Sequence, residues 1–376
     1  MNIGINGYEA VVPRFGFDKD SGLPNRVGSG EFSFQLIKAI NDLKSKNDFY
    51  IYLPTSPTQD MPKEAENWKY EVFTSKKLWT LLGLGKKLFK NDEKLDVFYS
   101  PTLYLPLNLR VPSVLTVLDV SYMHFPKLFN KKDLFMLKYW GKYSIRSAKK
   151  IITISESSKN DIINLYGVGE SKIEVIYPGI KKVSSSKYQV ASMDELKEKF
   201  GIDKKYVLFV GTLQPRKNIV RLIEAFSKVD SELDLVIVGK KGWQYEEILS
   251  APEKYGVKNK VKFIENAADE DLPHLYKSAK FFILPSLYEG FGLPVLEAMS
   301  YGCPVITSSV SSLPEAGGDG AFYVDPENVD DIKEKMQKLN DDKDLREELV
   351  KKGHRQIEKF SWEKSAKETL KVLESL

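Results

Sequence analysis

One cysteine, Cys303, and three histidines, His124, His274 and His354, are all that 376 residues offer to a disulfide or a soft metal. A lone cysteine excludes an internal disulfide and a Cys-based zinc site, and histidines so far apart make a His-rich metal cluster an unpromising reading. No uncharged apolar run approaches the roughly 18 residues of a membrane span. The opening stretch MNIGINGYEAVVPRF lacks a basic region leading into an apolar one, so no secretory signal is expected. An excess of one charge is missing too. Lys and Arg number 56 against 52 Asp and Glu, a formal net charge of +4, too little to imply a nucleic-acid partner. With 42% hydrophobic and 29% charged residues the composition is that of a soluble globular protein, long enough for two domains or one large one. A cytoplasmic protein, soluble or peripheral on the inner face of a membrane, is the expectation.

The distribution of charge is more informative than its sum. Residues 1–180 carry 25 Lys/Arg against 19 Asp/Glu, whereas residues 181–376 carry 31 against 33. Two stretches concentrate the basic side chains. Residues 76–90 hold five lysines and no acid, interleaved with Leu78, Trp79, Leu81, Leu82, Leu84, Leu88 and Phe89. Residues 127–150 hold eight basic residues and one acid, Asp133. Basic amphipathic helices suit an anionic membrane surface, and equally a solvated face whose apolar side lies in the core.

Short apolar runs alternate with helical patterns along the chain. Strands are expected near Asn2–Asn6, Phe49–Leu53, Val97–Tyr99, Val114–Leu118, Ile151–Ile154 and Ile173–Ile176. Phe32, Leu36, Ile37, Ile40 and Leu43 have helical spacing. A polar, Ser-rich stretch, Lys182–Met193, reads as a linker. The alternation then resumes with strands near Tyr206–Val210, Leu233–Val238, Val261–Ile264, Phe281–Leu284, Pro304–Thr307 and Ala321–Val324, and two helices end the chain. The pattern predicts an α/β protein of two doubly wound parallel-sheet domains, with ligands in the cleft between them.

Three segments carry chemistry. Gly211-Thr212-Leu213-Gln214-Pro215-Arg216-Lys217-Asn218 follows a strand and opens a helix. Two cations at a helix start oppose the macrodipole, and a bound phosphate would resolve the conflict. Glu289-Gly290-Phe291-Gly292-Leu293-Pro294-Val295-Leu296-Glu297 also follows a strand. Its glycines admit a ligand to the backbone, Pro294 fits a first helical turn, and its two carboxylates suit sugar and ribose hydroxyls. Gly28-Ser29-Gly30 lies in a long loop of the first half and lacks the third glycine of a dinucleotide fingerprint. Asp18-Lys19-Asp20 spells a metal-binding Asp-x-Asp, but far in sequence from the other two segments; no metal is expected.

In this combination the chain resembles the retaining glycosyltransferases of family 4, which have the GT-B fold. The resemblance rests on residues 211–218, on the acid pair Glu289 and Glu297, on Leu313-Pro314-Glu315-Ala316-Gly317-Gly318-Asp319, on Phe360-Ser361-Trp362, and on the segment Leu115–Pro126. It is nearest to bacterial mannosyltransferases of surface polysaccharide synthesis. It implies an acceptor-side Rossmann-like domain over 1–180, a nucleotide-sugar domain over 181–360, and a helix, 361–376, that crosses back to the first domain. It implies metal-independent transfer of a sugar, mannose foremost, to a lipid-linked or glycan acceptor. GDP-mannose is the favoured donor and a UDP-sugar the alternative, with no cofactor. Arg216 and Lys217, with Gly211, would hold the donor diphosphate. The backbone over Phe291, Gly292, Leu293 and Pro294 would hold the phosphate and the sugar, Glu289 the sugar hydroxyls, and Glu297 the ribose. The region Phe263–Ala267 would flank the base. Gly28, Ser29 and Gly30 would approach donor and acceptor from the first domain, and Asp119 and His124 would serve at the reaction centre.

Three residues depart from the family's habit. Leu118 precedes Asp119 where a histidine is common, Glu31 stands where an arginine is common, and Glu265 where a glycine is usual. A leucine cannot donate a hydrogen bond. The alternative reading is therefore a GT-B protein that binds a nucleotide sugar but has lost or changed its activity, epimerase-like or non-catalytic.

Overall fold

β-Branched and aromatic runs too short for helices make the strands of two sheets. In the computed structural model they are β1 (Asn2–Asn6), β2 (Asp48–Leu53), β3 (Trp68–Val72), β4 (Val97–Ser100), β5 (Ser113–Val117), β6 (Lys150–Thr153) and β7 (Ile173–Val175) in the first sheet. The second holds β8 (Tyr206–Val210), β9 (Asp234–Val238), β10 (Val261–Ile264), β11 (Phe281–Leu284), β12 (Val305–Ser308) and β13 (Ala321–Val324). The structure describes residues 1–13, 15–18, 21–75, 78–90, 95–180, 193–265, 267–268 and 270–376. The expected linker over 182–193 lies outside them except for Met193. So do Lys19 and Asp20 of the Asp-x-Asp sequence, Lys76 and Lys77 of the first basic stretch, Asn266 of the expected base region, and Asp269.

Among the described residues every strand pairing within the two sheets is parallel. The orders are β3-β2-β1-β4-β5-β6-β7 and β10-β9-β8-β11-β12-β13. Each order reverses once, between β1 and β4 and between β8 and β11. In doubly wound sheets the crevice past the strand ends at such a point receives ligands. The central strands are buried over nearly their whole length, as both-face helix cover requires: Ile3, Ile5, Phe98 and Tyr99 in one sheet, Leu208, Phe209, Phe282 and Ile283 in the other.

Two compact units result. One comprises Met1–Pro126, Asn130–Gly179 and Phe360–Leu376; the other comprises Lys127–Phe129 and Ile180–Lys359. The final helix, Trp362–Glu374, therefore belongs with the first unit. Trp362 meets Phe32 edge-on at 5.6 Å, and Asn47 donates to the Glu374 carboxylate at 2.7 Å. Gly179 makes room for it, because a Cβ there would stand 2.0 Å from the Trp362 nitrogen.

The two basic stretches are more broken than a single amphipathic helix. The first has a π-helical turn, Trp79–Gly83, leading into the helix Leu84–Lys90; the second runs Lys131–Met136, a π turn Leu137–Gly141, then Lys142–Ser147. Trp79 is buried, stacked on Phe73 at 4.7 Å with its indole N–H on the Phe73 carbonyl, so it is a core residue. Among the described residues no helix is long and apolar enough to cross a membrane.

Candidate active site

The turn after β8 differs from the sequence expectation in one respect. Arg216 and Lys217 do not open the helix. They lie in a 3-10 turn, Pro215–Lys217, and the helix Ile219–Ser227 begins only after Asn218. Asn218 adopts a left-handed conformation, φ 61°, and its amide donates to the carbonyls of Pro285 and Pro326 at 3.0 and 2.6 Å. Asparagine tolerates that backbone better than most residues, and here its side chain ties the turn to the ends of β11 and β13.

The same turn meets Glu289, 73 residues on in the loop after β11. Lys217 Nζ lies 2.5 Å from Glu289 Oε1, and Arg216 Nη1 lies 3.2 Å from Oε2 while also donating to the Tyr288 carbonyl. Lys217 is 8% exposed and Glu289 7%. Glu289 is thus no solvated loop acid. Burial alone would raise its pKa; the Lys217 and Arg216 charges and the hydrogen bond from Lys217 outweigh burial and hold the carboxyl at about 2. The charge of the two adjacent cations is thus met in this structure by a carboxylate. Two cations against one acid leave the cluster with a net positive charge.

The backbone of Glu289 is clamped by the loop after β12. Its N–H donates to the Ser311 hydroxyl at 3.0 Å, and its carbonyl accepts from the Ser312 hydroxyl at 2.8 Å. Ser308 likewise donates to the Ser286 carbonyl at 2.7 Å. These serines were not anticipated from sequence; the only signal was a Ser-Ser pair standing before Leu313-Pro314-Glu315. Gln214, buried in the turn, has a side-chain carbonyl with no hydrogen-bond partner among the described residues, an acceptor that a ligand hydroxyl could meet.

The helix Leu293–Ser300 follows the glycine segment, with Pro294 in its first turn. Gly292 is required there: φ is 112°, and a Cβ would stand 2.8 Å from Leu313 Cδ2. Phe291 is buried. Glu297, half-buried on that helix, accepts from the Tyr276 hydroxyl at 3.1 Å. The positive end of this helix dipole and the Arg216–Lys217 cluster thus flank the same β8–β11 switch point, an arrangement that suits a phosphate. Gly211 immediately follows β8, its N–H on the Val238 carbonyl at 2.9 Å.

The remaining candidates belong to the first unit. Gly28, φ 54°, precedes the helix Ser29–Asp42, and a Cβ on it would meet nothing. Gly30 approaches the Glu9 carbonyl, 3.0 Å from where its Cβ would be, and Ser29 donates to the Glu9 carboxylate at 3.2 Å. Just ahead of them Arg26 is an anchor that sequence reading passed over. It donates to the Ala10 carbonyl, to Thr58 and to both oxygens of Asp60, and lies 3.8 Å over the Phe34 ring. Asp119, two residues past β5, accepts from the Ser121 N–H at 2.8 Å. His124 ends a short helix, Ser121–His124, with Nε2 3.1 Å from Asp161.

Comparison with known proteins bears on family and fold. Residues 53–182 match the family model described as Glycosyltransferase Family 4, and residues 192–356 match Glycosyl transferases group 1. The chain is 34% identical to O-antigen chain mannosyltransferase B of Escherichia coli over 373 residues, spanning 93% of this chain and 96% of that one. Among solved structures, sucrose-phosphate synthase from Thermosynechococcus elongatus superposes with a TM-score of 0.75 at 17% identity, covering 100% of this chain and 98% of the other. HepE from Anabaena, in complex with UDP and glucose, gives 0.75 at 20% identity with both chains fully covered. At that identity the two structures speak for the fold alone, which is GT-B.

Proposed function

Because this chain belongs to the family 4 glycosyltransferases, we propose that it transfers mannose, with retention, from a nucleotide sugar to a lipid-linked or glycan acceptor in surface polysaccharide synthesis. GDP-mannose is the favoured donor, a UDP-sugar the alternative. The observation that carries the proposal is the buried Arg216–Lys217–Glu289 cluster at the β8–β11 switch point. The identity to a mannosyltransferase over nearly the whole length supports the choice of sugar.

In this reading the bond between the anomeric carbon and the diphosphate oxygen breaks, and its electron pair goes to the leaving diphosphate. Arg216, Lys217 and the start of the helix Leu293–Ser300 stabilise the charge where it develops, a task that needs no metal. The acceptor hydroxyl attacks the face the diphosphate leaves, and its proton passes to a released phosphate oxygen. Glu289 is suited to holding sugar hydroxyls. A carboxylate held at about 2 between two cations is a poor base and a poor nucleophile. Glu297 would hold the ribose, the backbone at Phe291–Pro294 the phosphate and sugar. Gly28–Gly30 would approach donor and acceptor, and Asp119 and His124 would serve at the reaction centre.

Incubation with labelled GDP-mannose and lipid-linked oligosaccharide tests this. Label in the lipid-linked product, α-configured by NMR and undiminished by EDTA, is the expected result; a β-linked product would overturn the retaining mechanism. A location at the cytoplasmic face of a membrane is supported by the second basic stretch. Phe135 and Tyr139 are 55% and 64% exposed there, 4.5 Å apart, among Lys131, Lys132, Lys138 and Lys142. Co-sedimentation with anionic vesicles should be salt-sensitive and weakened by Phe135→Ser with Tyr139→Ser; equal binding by the double variant would remove this surface from the account.

A further inference from the structure

A wholly buried tyrosine of the second unit meets the candidate site through its hydroxyl. Tyr276 lies on the helix Leu272–Ser278, which has Pro273 in its first turn and precedes β11. Its ring is stacked on Tyr301, with centroids 5.6 Å apart and 14° between the planes, and is tilted against Phe282 of β11 at 5.6 Å. The residue before it is held as well: the Tyr206 hydroxyl, from β8, donates to the Leu275 carbonyl at 2.7 Å. The helix is therefore pinned to the strand that leads into the Arg216–Lys217 turn. A phenylalanine would fill this ring-lined space equally and would bring no hydroxyl to desolvate. The hydroxyl that stands there donates to Glu297 Oε2 at 3.1 Å. Burial first, and then the Glu297 charge, push the Tyr276 pKa well above its ordinary value, so the phenol keeps its proton and remains a donor to the carboxylate.

We propose that Tyr276 is a positioning residue, which orients the Glu297 carboxylate for a ribose before the nucleotide arrives. A glutamate on a helix has several rotamers, and fixing it only on binding would cost that freedom at the moment of association. A hydrogen bond from a phenol locked between rings removes the freedom in advance, so less is lost when the ligand enters. One such bond does not exhaust a carboxylate, whose two oxygens carry about four lone-pair sites, so it can still accept from a diol. The sequence of contacts runs from the sheet outward. β8 holds the helix through Tyr206, the helix and the flanking rings hold Tyr276, and Tyr276 holds Glu297. The inference rests on the ribose role proposed above for Glu297 and adds the residue that acts through it.

Calorimetric titration of GDP and 2′-deoxy-GDP into the full chain, with UDP and 2′-deoxy-UDP beside them, tests it; the tighter-binding ribonucleotide serves as the reference. The wild type should bind that ribonucleotide more tightly than its 2′-deoxy form, and Glu297→Ala should lose the preference. Tyr276→Phe, which keeps the ring, should weaken the ribonucleotide about three- to tenfold and the 2′-deoxy form less. Introduced beside Glu297→Ala, it should cost nothing further, because a residue that acts through Glu297 has nothing left to orient. A purely structural tyrosine would show the same loss in both backgrounds. Wild-type affinity in Tyr276→Phe, or a loss that persists unchanged beside Glu297→Ala, overturns the positioning role and leaves the donor site standing. A Glu297→Ala variant that keeps the wild-type preference overturns the ribose role and this inference with it. A folded wild type that binds none of the four overturns both.

Discussion

At the scale of the residue, Glu289 decides most. A carboxyl held at about 2 stabilises the folded state, and the sign follows from linkage. Its contribution is fully present above the ordinary value of 4.5 and is lost as pH falls toward 2. From the size of the shift, the contribution is of the order of 3 kcal/mol. Glu289→Gln should therefore lower stability at neutral pH and lack this part of the acid dependence. Urea midpoints between pH 2 and 5 check it, and parallel curves for variant and wild type would contradict it. Arg216, Lys217 and Glu289 could each be singled out in the sequence, in two motifs, but not their bonding to one another. The motifs are more than seventy residues apart, and they meet only because β8 and β11 are neighbours in the sheet. Arg26 stayed hidden for a related reason. An arginine in a Pro/Gly-rich loop reads as surface charge until Asp60 and Phe34 are seen to enclose it.

At the scale of the element, the sequence marked every strand of the described residues but β3, the half-exposed edge strands β7, β10 and β13 included. β3 escaped notice because its apolar pattern is broken. Lys69 and Glu71 interrupt its apolar residues, and one neighbour suffices to hold it. The helix Val329–Asp341 escaped because its apolar positions Val329, Ile332, Met336 and Leu339 are diluted by nine charged or amide side chains. The glycine segment before Leu293–Ser300 was legible, and its geometry makes a definite prediction. Gly292→Ala places a Cβ against Leu313 at a φ of 112°. It should destabilise by about 1–3 kcal/mol and lower the transfer rate, because the helix start and the backbone at 291–294 shift together. Urea unfolding and turnover, measured on the same preparation, check both. A variant as stable and as active as the wild type would show that this turn has slack.

At the scale of the whole molecule, alternation alone announced two parallel-sheet domains, since helix cover on both faces leaves a repeating mark in the sequence. The return of Trp362–Glu374 to the first unit leaves no such mark, and resemblance supplied it where periodicity could not. The central claim is that the cluster at the β8–β11 switch point holds the donor. Calorimetry of the tightest-binding nucleotide sugar with wild type, Arg216→Ala and Glu289→Gln tests it most directly. Loss of a charge-assisted hydrogen bond predicts binding weakened by about tenfold or more in Arg216→Ala. Removal of the one acid from the cluster predicts binding kept or tightened in Glu289→Gln while transfer falls by about a hundredfold or more. Wild-type affinity in a folded Arg216→Ala would place the donor elsewhere and contradict the account.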